Sequence, residues 1–426
     1  MRLTYTPVNA ARYLVWGGFA LVLLAAPLVF TKGAALSILS QIGTVMIFAL
    51  SYNMLLGQGG MLSFGHAVYS GLGAFFAIHM MNSTGVGAHI PTTLIPLAGG
   101  LAGMFFGVLF GYVTTKKSGT TFAMITLGLV ELVFASSLMF PGFFGGEGGI
   151  TTNRVRGEAL FGISYGPQIQ VYYLIAFWLF ISTIAMFAFT QTPLGRMVNA
   201  VRDNPERVEF IGYDTQSVRY LTLILSAFFA GISGALGAIN FEIVSAENVS
   251  AIRSGAVLLF VFIGGISFFF GPLLGAIVGV FFSVMLSDYT PAWQLYLGLF
   301  FILLVRYAPA GLASLILMLL RVANHGQFGR ICKPLLAVCA VGLVGLLGVV
   351  MGIEMLYHIT LEGANGAIMT RLGHQIDTKG AAPWVVVAVL VGGALLLYRK
   401  VQPHYDALWS EIHADIVAKQ RSGMTT

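Results

Sequence analysis

The sequence predicts an all-α polytopic membrane protein of about ten to twelve transmembrane or half-membrane helices, one of them broken at a glycine-rich stretch. Three observations predict it. Of 426 residues, 57% are hydrophobic and 9% are charged. A soluble domain carries roughly 25% charged residues, so too few polar side chains exist here to cover a water-facing surface. Apolar runs long enough to cross hydrocarbon lie near 13–30, 35–56, 61–81, 92–113, 120–140, 170–190, 219–240, 255–286, 292–305, 334–355 and 383–398. Glycine, 53 residues in all, recurs on helix faces: Gly99, Gly103, Gly107 and Gly111 share one, and Gly271, Gly275 and Gly279 another. Such faces let helix backbones approach closely, which predicts a dense bundle rather than a site.

In chain order, the N-terminal apolar run is long and no small-residue cleavage site follows it, so it predicts an uncleaved first helix. Next comes "GQGGMLSFGHAVYSGLGAFF", Gly57 to Phe76, where three glycines and Gln58, Ser63 and His66 interrupt an apolar region. Backbone that leaves a helix inside a membrane survives only where protein buries it or where it lines a wet cavity. Gly57, Gly59 and Gly60 allow the break, and Gln58, Ser63 and His66 can satisfy freed amides or face a passing solute. A plain turn between two helices fits the same spacing. In "TTFAMITLGLVELVF", Thr120 to Phe134, Thr126 and Glu131 lie within a membrane helix. An ionisable group there is a candidate site, and equally a carboxylate that snorkels or pairs inside the bundle. The glycine-rich loop "FPGFFGGEGGITTNRVRG" is too polar to span, and reads as a flexible gate or an external docking surface.

The segment Thr192–Tyr220, "TPLGRMVNAVRDNPERVEFIGYDTQSVRY", is too polar to cross and too patterned for a loose linker. Thr192-Pro193 and Asn204-Pro205 each read as a helix start, and the second helix is expected to end near Gly212. The result is a short helical hairpin on the inner face, either a docking element for a soluble motor or an interfacial connector against lipid headgroups. Further on, the run 255–286 is too long for one crossing, and Gly271-Pro272 predicts that it folds as two segments. Orientation follows from the basic residues. With both termini in the cytoplasm, the 22 Lys and Arg leave six outside: Lys32, Arg154, Arg156, Arg253, Arg371 and Lys379.

Several of these segments, in this order, resemble one family. "GQGGMLSFGHAVYSGLGAF", "TTFAMITLGLVEL", "GRMVNAVRDNPERVEFIGYD" and "FIGGISFFFGPLLGAIVG" are similar to the LivM-like permeases of branched-chain amino acid ABC importers, over about residues 35–320. The resemblance implies a bacterial inner-membrane subunit that pairs with a LivH-like second permease, two cytoplasmic ATPase subunits and a periplasmic solute-binding protein. It implies that the polar hairpin is the ATPase-coupling element, with Gly195, Arg196, Ala200, Arg202, Asp203, Asn204 and Gly212 at its working positions. It also implies that Gly57, Gln58, Gly59, Gly60, Ser63, His66, Thr126 and Glu131 belong to the solute pathway.

The domain organisation expected is an N-terminal cytoplasmic tail and first helix (1–34), the permease core (35–320), a C-terminal extension with two further spans (321–400) and a cytoplasmic tail (401–426). The extension departs from the family pattern. Its His358 and His374 lack a supporting ligand pattern, and Cys332 and Cys339 fit neither a metal spacing nor a disulfide framework, so no metal is expected. No G-x-x-x-x-G-K-[ST] sequence occurs, and no nucleophile–base pattern suggests an enzyme. The resemblance then implies that ATP and Mg are bound by partner subunits, with lipid as surroundings and no nucleic acid as partner. Two other classes remain: a proton-coupled secondary transporter acting alone through Glu131 and His66, and a membrane scaffold or enzyme that works through its C-terminal extension.

Overall fold

The computed structural model describes residues 10–84, 90–156, 163–361, 368–371 and 374–421. The expected N-terminal tail with Arg2, part of the expected loop before the last span, and the final five residues lie outside the described residues. The chain divides into two compact units, one running up to Leu286 together with Leu299–Ala313, the other comprising Ser287–Gly298 and the chain from Ser314 onward.

The first unit opens with α1 (Ala10–Val29) and α2 (Gly33–Asn53), which passes into a π-helical turn, Met54–Gln58. There follow α3 (His66–Thr84), α4 (Ile95–Thr114), α5 (Gly119–Met139), the single turn α6 (Pro141–Phe144) and strand β1 (Ile150–Thr151). Next are α7 (Gln168–Gln191), the hairpin of α8 (Pro193–Asp203) and α9 (Pro205–Phe210), and α10 (Thr215–Phe241). Strand β2 (Ile243–Val244) pairs antiparallel with β1, Ile150 opposite Val244. A 3-10 turn, Ala246–Val249, leads to α11 (Ala251–Gly264), and α12 (Gly271–Val280) follows after a turn.

Helix α10 is the centre of this unit, packed by α4, α3 and α2. The predicted glycine face of α4 is the seam. A side chain at Gly99 would meet Ala235 and Gly231, at Gly103 Ala227 and Gly231, at Gly107 Ala227 and Ile224, and at Gly111 Leu223 and Tyr220. Gly73 of α3 reaches the same place, with Gly231 and the Gly99 carbonyl as its neighbours, so three helices touch backbone to backbone at one point. The second glycine face packs α12 back on α11, through Gly271, Gly275 and Gly279 against Gly264, Gly265 and Phe260. The run 255–286 therefore folds as two segments, as Gly271-Pro272 predicts.

The second unit carries helices of a different kind. Of α13 (Trp293–Tyr307) it holds the start, and it continues through α14 (Leu312–Asn324), α15 (Phe328–Leu361), the hairpin of β3 (Ile368–Arg371) and β4 (His374–Asp377), and α16 (Ala381–Arg421). Helices α15 and α16 meet along Gly345, Gly348 and Gly352, which face Ala394, Leu390 with Val391, and Val387. Glu354 is buried there and accepts hydrogen bonds from Thr290 (2.6 Å) and Tyr296 (2.9 Å). The expected tail is helical through Arg421 as the continuation of α16, tied near its end by Arg330 to Glu411 at 2.7 Å.

Among the described residues, seven helices are long and apolar enough to span a membrane: Gly33–Gln58, Thr92–Thr114, Gly119–Met139, Gln168–Gln191, Thr215–Phe241, Gly329–Leu361 and Ala381–Ile412. An eighth counts if α13 and α14 form one bent span, and Leu14–Val29, Ala251–Gly264 and Gly271–Leu286 are shorter apolar helices. Helix α3 is not among the seven. Protein surrounds it on most sides, so Ser70, Gly71 and Gly73 take the place of the apolar side chains that lipid would demand.

Candidate functional site

The break after α2 is closed by protein. The amides of Gly59, Gly60 and Met61 donate to the carbonyls of Leu55, Leu56 and again Leu55. Tyr52 OH donates to Ser63 O at 2.8 Å, Phe64 N to Thr126 Oγ1 at 3.1 Å, and Ala67 N to Ser254 Oγ at 2.9 Å. Helices α2, α5 and α11 thus supply the partners that a broken backbone needs within a membrane. Gly57, Gln58, Ser63, His66 and Thr126 are all buried, whereas Gly60 is exposed at the rim. Gly60 has φ +63°, which an L side chain rarely adopts, and a Cβ there would lie 2.8 Å from Cγ of Arg202.

His66 is the centre of the buried part. Its ring stacks on Phe48 (centroids 5.4 Å apart) and meets Tyr52 and Tyr69 edge-on. Its Nε2 lies 3.0 Å from Ser51 Oγ. Ser51 gives its one proton to Phe48 O at 2.7 Å, so His66 donates through Nε2–H and leaves Nδ1 as an acceptor. Nδ1, Ser63 Oγ and Tyr69 OH have no hydrogen-bond partner among the described residues. Burying such an atom unpaired costs about 1–3 kcal/mol, so three within two turns of one segment is a high density.

Glu131 stands apart from this cluster. It is exposed on α5, five residues beyond Thr126, while Val130 and Val133 beside it are buried. A carboxylate in the middle of an apolar helix does not face hydrocarbon, so that face of α5 meets protein or water. The Ala246–Val249 turn packs on α5 and on α3, where Asn248 and Val249 cover Gly71, and it adds the exposed Glu247. Arg253, expected on the outer side, occupies the first turn of α11, half-buried, with its guanidinium 5.8 Å from the centre of the Phe48 ring. The sequence signal for it is a serine pair, Ser250 and Ser254, that caps α11 and fastens it to α3: Ser250 Oγ accepts from Arg253 N, and Ser254 Oγ from Ala67 N.

The glycine-rich loop is tied down rather than free. Arg154 donates to Tyr165 O (2.8 Å) and Gln168 Oε1 (3.1 Å), and its amide donates to Glu242. At the other end of the bundle, the polar hairpin forms where its caps predict. Thr192 Oγ1 accepts from Gly195 N, and Asn204 Oδ1 accepts from Arg207 N. Asp214 caps α10 by accepting from Gln216 N and Ser217 N. The Ser217 hydroxyl and amide hold the Asp214 carboxyl below the usual carboxylate range. Gly195 is buried against Phe189 and Thr190, Ala200 is half-buried, and Arg196, Asp203 and Asn204 are exposed. Gly212 has φ +87° with open space around it, which suits the turn out of α9.

Arg202 links the hairpin to the break: its guanidinium pairs with Asp203 (2.9 Å) and donates to the carbonyl of Gly57 (2.5 Å). Two groups of expected residues are thereby brought into contact, the pathway stretch and the coupling hairpin. Sequence reading missed Phe210, Ile211 and Tyr213, which are 89%, 63% and 52% exposed at the hairpin's tip. The signal was available as three large apolar side chains in an otherwise polar loop. No cluster of metal-ligating side chains occurs among the described residues.

Comparison with known proteins agrees with this architecture. Residues 34–308 match the family described as branched-chain amino acid transport system / permease component. The chain is 27% identical over 306 residues to the high-affinity branched-chain amino acid transport system permease protein LivM of Escherichia coli, covering 67% of this chain and 71% of that protein. It is 24% identical to the probable LivM of Methanocaldococcus jannaschii, covering 65% and 92% respectively. It is also 26% identical to the fructose import permease protein FrcC of Rhizobium meliloti, covering 48% and 60%. No solved structure matches the chain.

Proposed function

Because the chain belongs to the branched-chain amino acid transport permease family, we propose that it is a permease subunit of an ATP-driven bacterial importer for branched-chain amino acids or related small amides and carboxylates. It works with a LivH-like second permease, two cytoplasmic ATPases that bind ATP and Mg, and a periplasmic binding protein. Both termini lie in the cytoplasm of the inner membrane. The observation that carries this reading is the Arg202–Gly57 contact, because it joins a docking element to the pathway stretch in one step. The exposed Phe210, Ile211 and Tyr213 offer the ATPase an apolar grip. When ATP binding moves α8 and α9, Arg202 carries the displacement to the Gly57 carbonyl and the π-helical turn. The helices then part around Ser63, His66 and Tyr69, and the solute supplies partners for their unpaired atoms.

The test is ATP-dependent uptake of labelled leucine by the complex purified through this chain and reconstituted with its binding protein. Arg202→Ala is expected to lower uptake about tenfold, the equivalent of roughly 1.4 kcal/mol, while ATP hydrolysis and assembly persist. Unchanged uptake removes Arg202 from the coupling route. A second reading rests on Ser63 Oγ and Tyr69 OH, which suit a sugar as well as an amino acid. Competition by fructose and not by isoleucine in the same assay would favour it.

A further inference from the structure

We propose that Arg253 is the ligand for the carboxylate of the transported solute, an inference that rests on the importer reading above. Its depth is the first observation. Along α2 and its π-helical turn, Phe48 is about 22 Å from Gly33 and about 15 Å from Gln58 at 1.5 Å per residue. The guanidinium over the Phe48 ring is therefore well inside a hydrocarbon layer of about 30 Å. The local contacts agree, since Ser254 is fastened to Ala67 of α3 and the preceding turn lies against Gly71. This part of the chain dips into the bundle from the β1–β2 end, where Asn82 of α3 donates to Thr151 O.

The second observation is that no side chain among the described residues pairs with this cation. Among the described residues the Arg253 side chain has no hydrogen bond and no carboxylate partner; the Phe48 ring is its one recorded contact of this kind. Arg154, another arginine of this half of the bundle, shows the alternative, with acceptors on Tyr165, Gly166 and Gln168. An intramembrane arginine without an anion is expensive to keep, and a planar fork of donors matches a carboxylate in two parallel hydrogen bonds.

The third observation is the neighbourhood. Arg253 lies within two turns, along α3, of the level of Ser63, His66 and Tyr69, whose polar atoms lack partners. Glu247 is exposed on the adjoining turn, which packs on α3 and α5. A cation beside unpaired neutral groups matches a carboxylate-bearing solute better than a sugar. Arg253 then selects solutes that carry a carboxylate.

The experiment uses the reconstituted complex with labelled leucine as probe. Uptake by the unaltered complex tests the importer reading, and the ratio of variant to unaltered uptake tests the arginine. In Arg253→Gln, uptake should fall at least tenfold while assembly and the stimulation of ATP hydrolysis by leucine-loaded binding protein remain. Arg253→Lys should keep a substantial part of uptake. Equal uptake in Arg253→Gln and the unaltered complex overturns the proposal. A complex that assembles with Lys and falls apart with Gln also overturns it, because the charge then holds subunits together instead of binding solute, and one that falls apart with both overturns it because the side chain is then needed for packing. If the unaltered complex takes up no leucine, the importer reading fails first, and the two failures are told apart.

Discussion

The two units of this chain use apolar residues in opposite ways. In the first, 78% of the α10 span is buried within the chain, and its partner faces are glycine, alanine and serine. In the second, only 6% of the α15 and α16 spans is buried, and Leu336, Leu343, Leu347, Val385, Val389 and Leu396 point outward. Yet the second unit holds the more hydrophobic helices. Hydropathy therefore reports how much of a helix meets lipid, not how central it is. The helices that hold the candidate site are the less apolar ones, because protein replaces lipid around them and polar side chains can be paired.

That contrast can be broken most severely at Gly234. A side chain there would meet the Ser70 backbone, which cannot move aside as a flexible side chain can. Gly234→Leu should cost about 3 kcal/mol or more and abolish recovery of folded complex. Gly392→Leu in α16, with nothing within 4 Å, should stay within about 0.5 kcal/mol. Size-exclusion profiles of the two variants in detergent decide it, and equal profiles would end the distinction between the units.

A chain truncated after Arg330 is the next sharpest test. The family match ends at residue 308, so ATP-dependent uptake should remain measurable, with lower yield. A well-assembled truncation without any uptake would move the working region into the second unit. Gly60→Leu is expected to act on transport rather than assembly. It combines a positive φ, at about 1 kcal/mol, with a contact on Arg202, so uptake should fall more than tenfold while the ATPases stay bound. Gly212→Leu meets open space and should show the backbone strain alone.

The smallest effect concerns Asp214. Its carboxyl is held below the ordinary range by Ser217, so it contributes stability that is fully present above the unfolded carboxylate pKa and is lost as pH falls through the lower folded value. Thermal stability of the purified complex should thus be insensitive to this group between pH 6 and 8 and should decline below about pH 4. Asp214→Asn keeps a good cap and removes the titration, so the difference between the two proteins should shrink in acid. A constant difference down to pH 3.5 would deny the cap its charge.

Much of this architecture was legible in the sequence, and for local reasons. The α8–α9 hairpin was readable because Thr192-Pro193, Asn204-Pro205 and Gly212 are signals that act over three or four residues. The glycine seam was readable because a four-residue repeat fixes a helix face. The surroundings of Gly57–His66 were not readable, since Thr126, Ser254 and Arg202 lie 60 to 190 residues away in the chain and their pairing belongs to the folded bundle. The place of Arg253 was not readable for a related reason: Ser250 and Ser254 start α11 ahead of the apolar run, and the contact of the Arg253 guanidinium with Phe48 belongs to the folded bundle.

The meeting of Gly73, Gly99 and Gly231 has a mechanical meaning. Helices that touch through backbone cannot slide along one another, because Ile224 or Leu223 would be forced onto a position with room for hydrogen alone. They can only tilt, with the three glycines as fulcrum. From Gly99 to Gly111 the lever arm is about 18 Å, and the neighbours along it grow from Gly231 and Ala235 to Leu223 and Tyr220. Any swing is therefore null at the fulcrum and greatest where Tyr220 bonds Val108 O, the end of α10 that adjoins the α8–α9 hairpin. The α8–α9 hairpin thus packs on α10 at the long end of the lever, where the least force would move it.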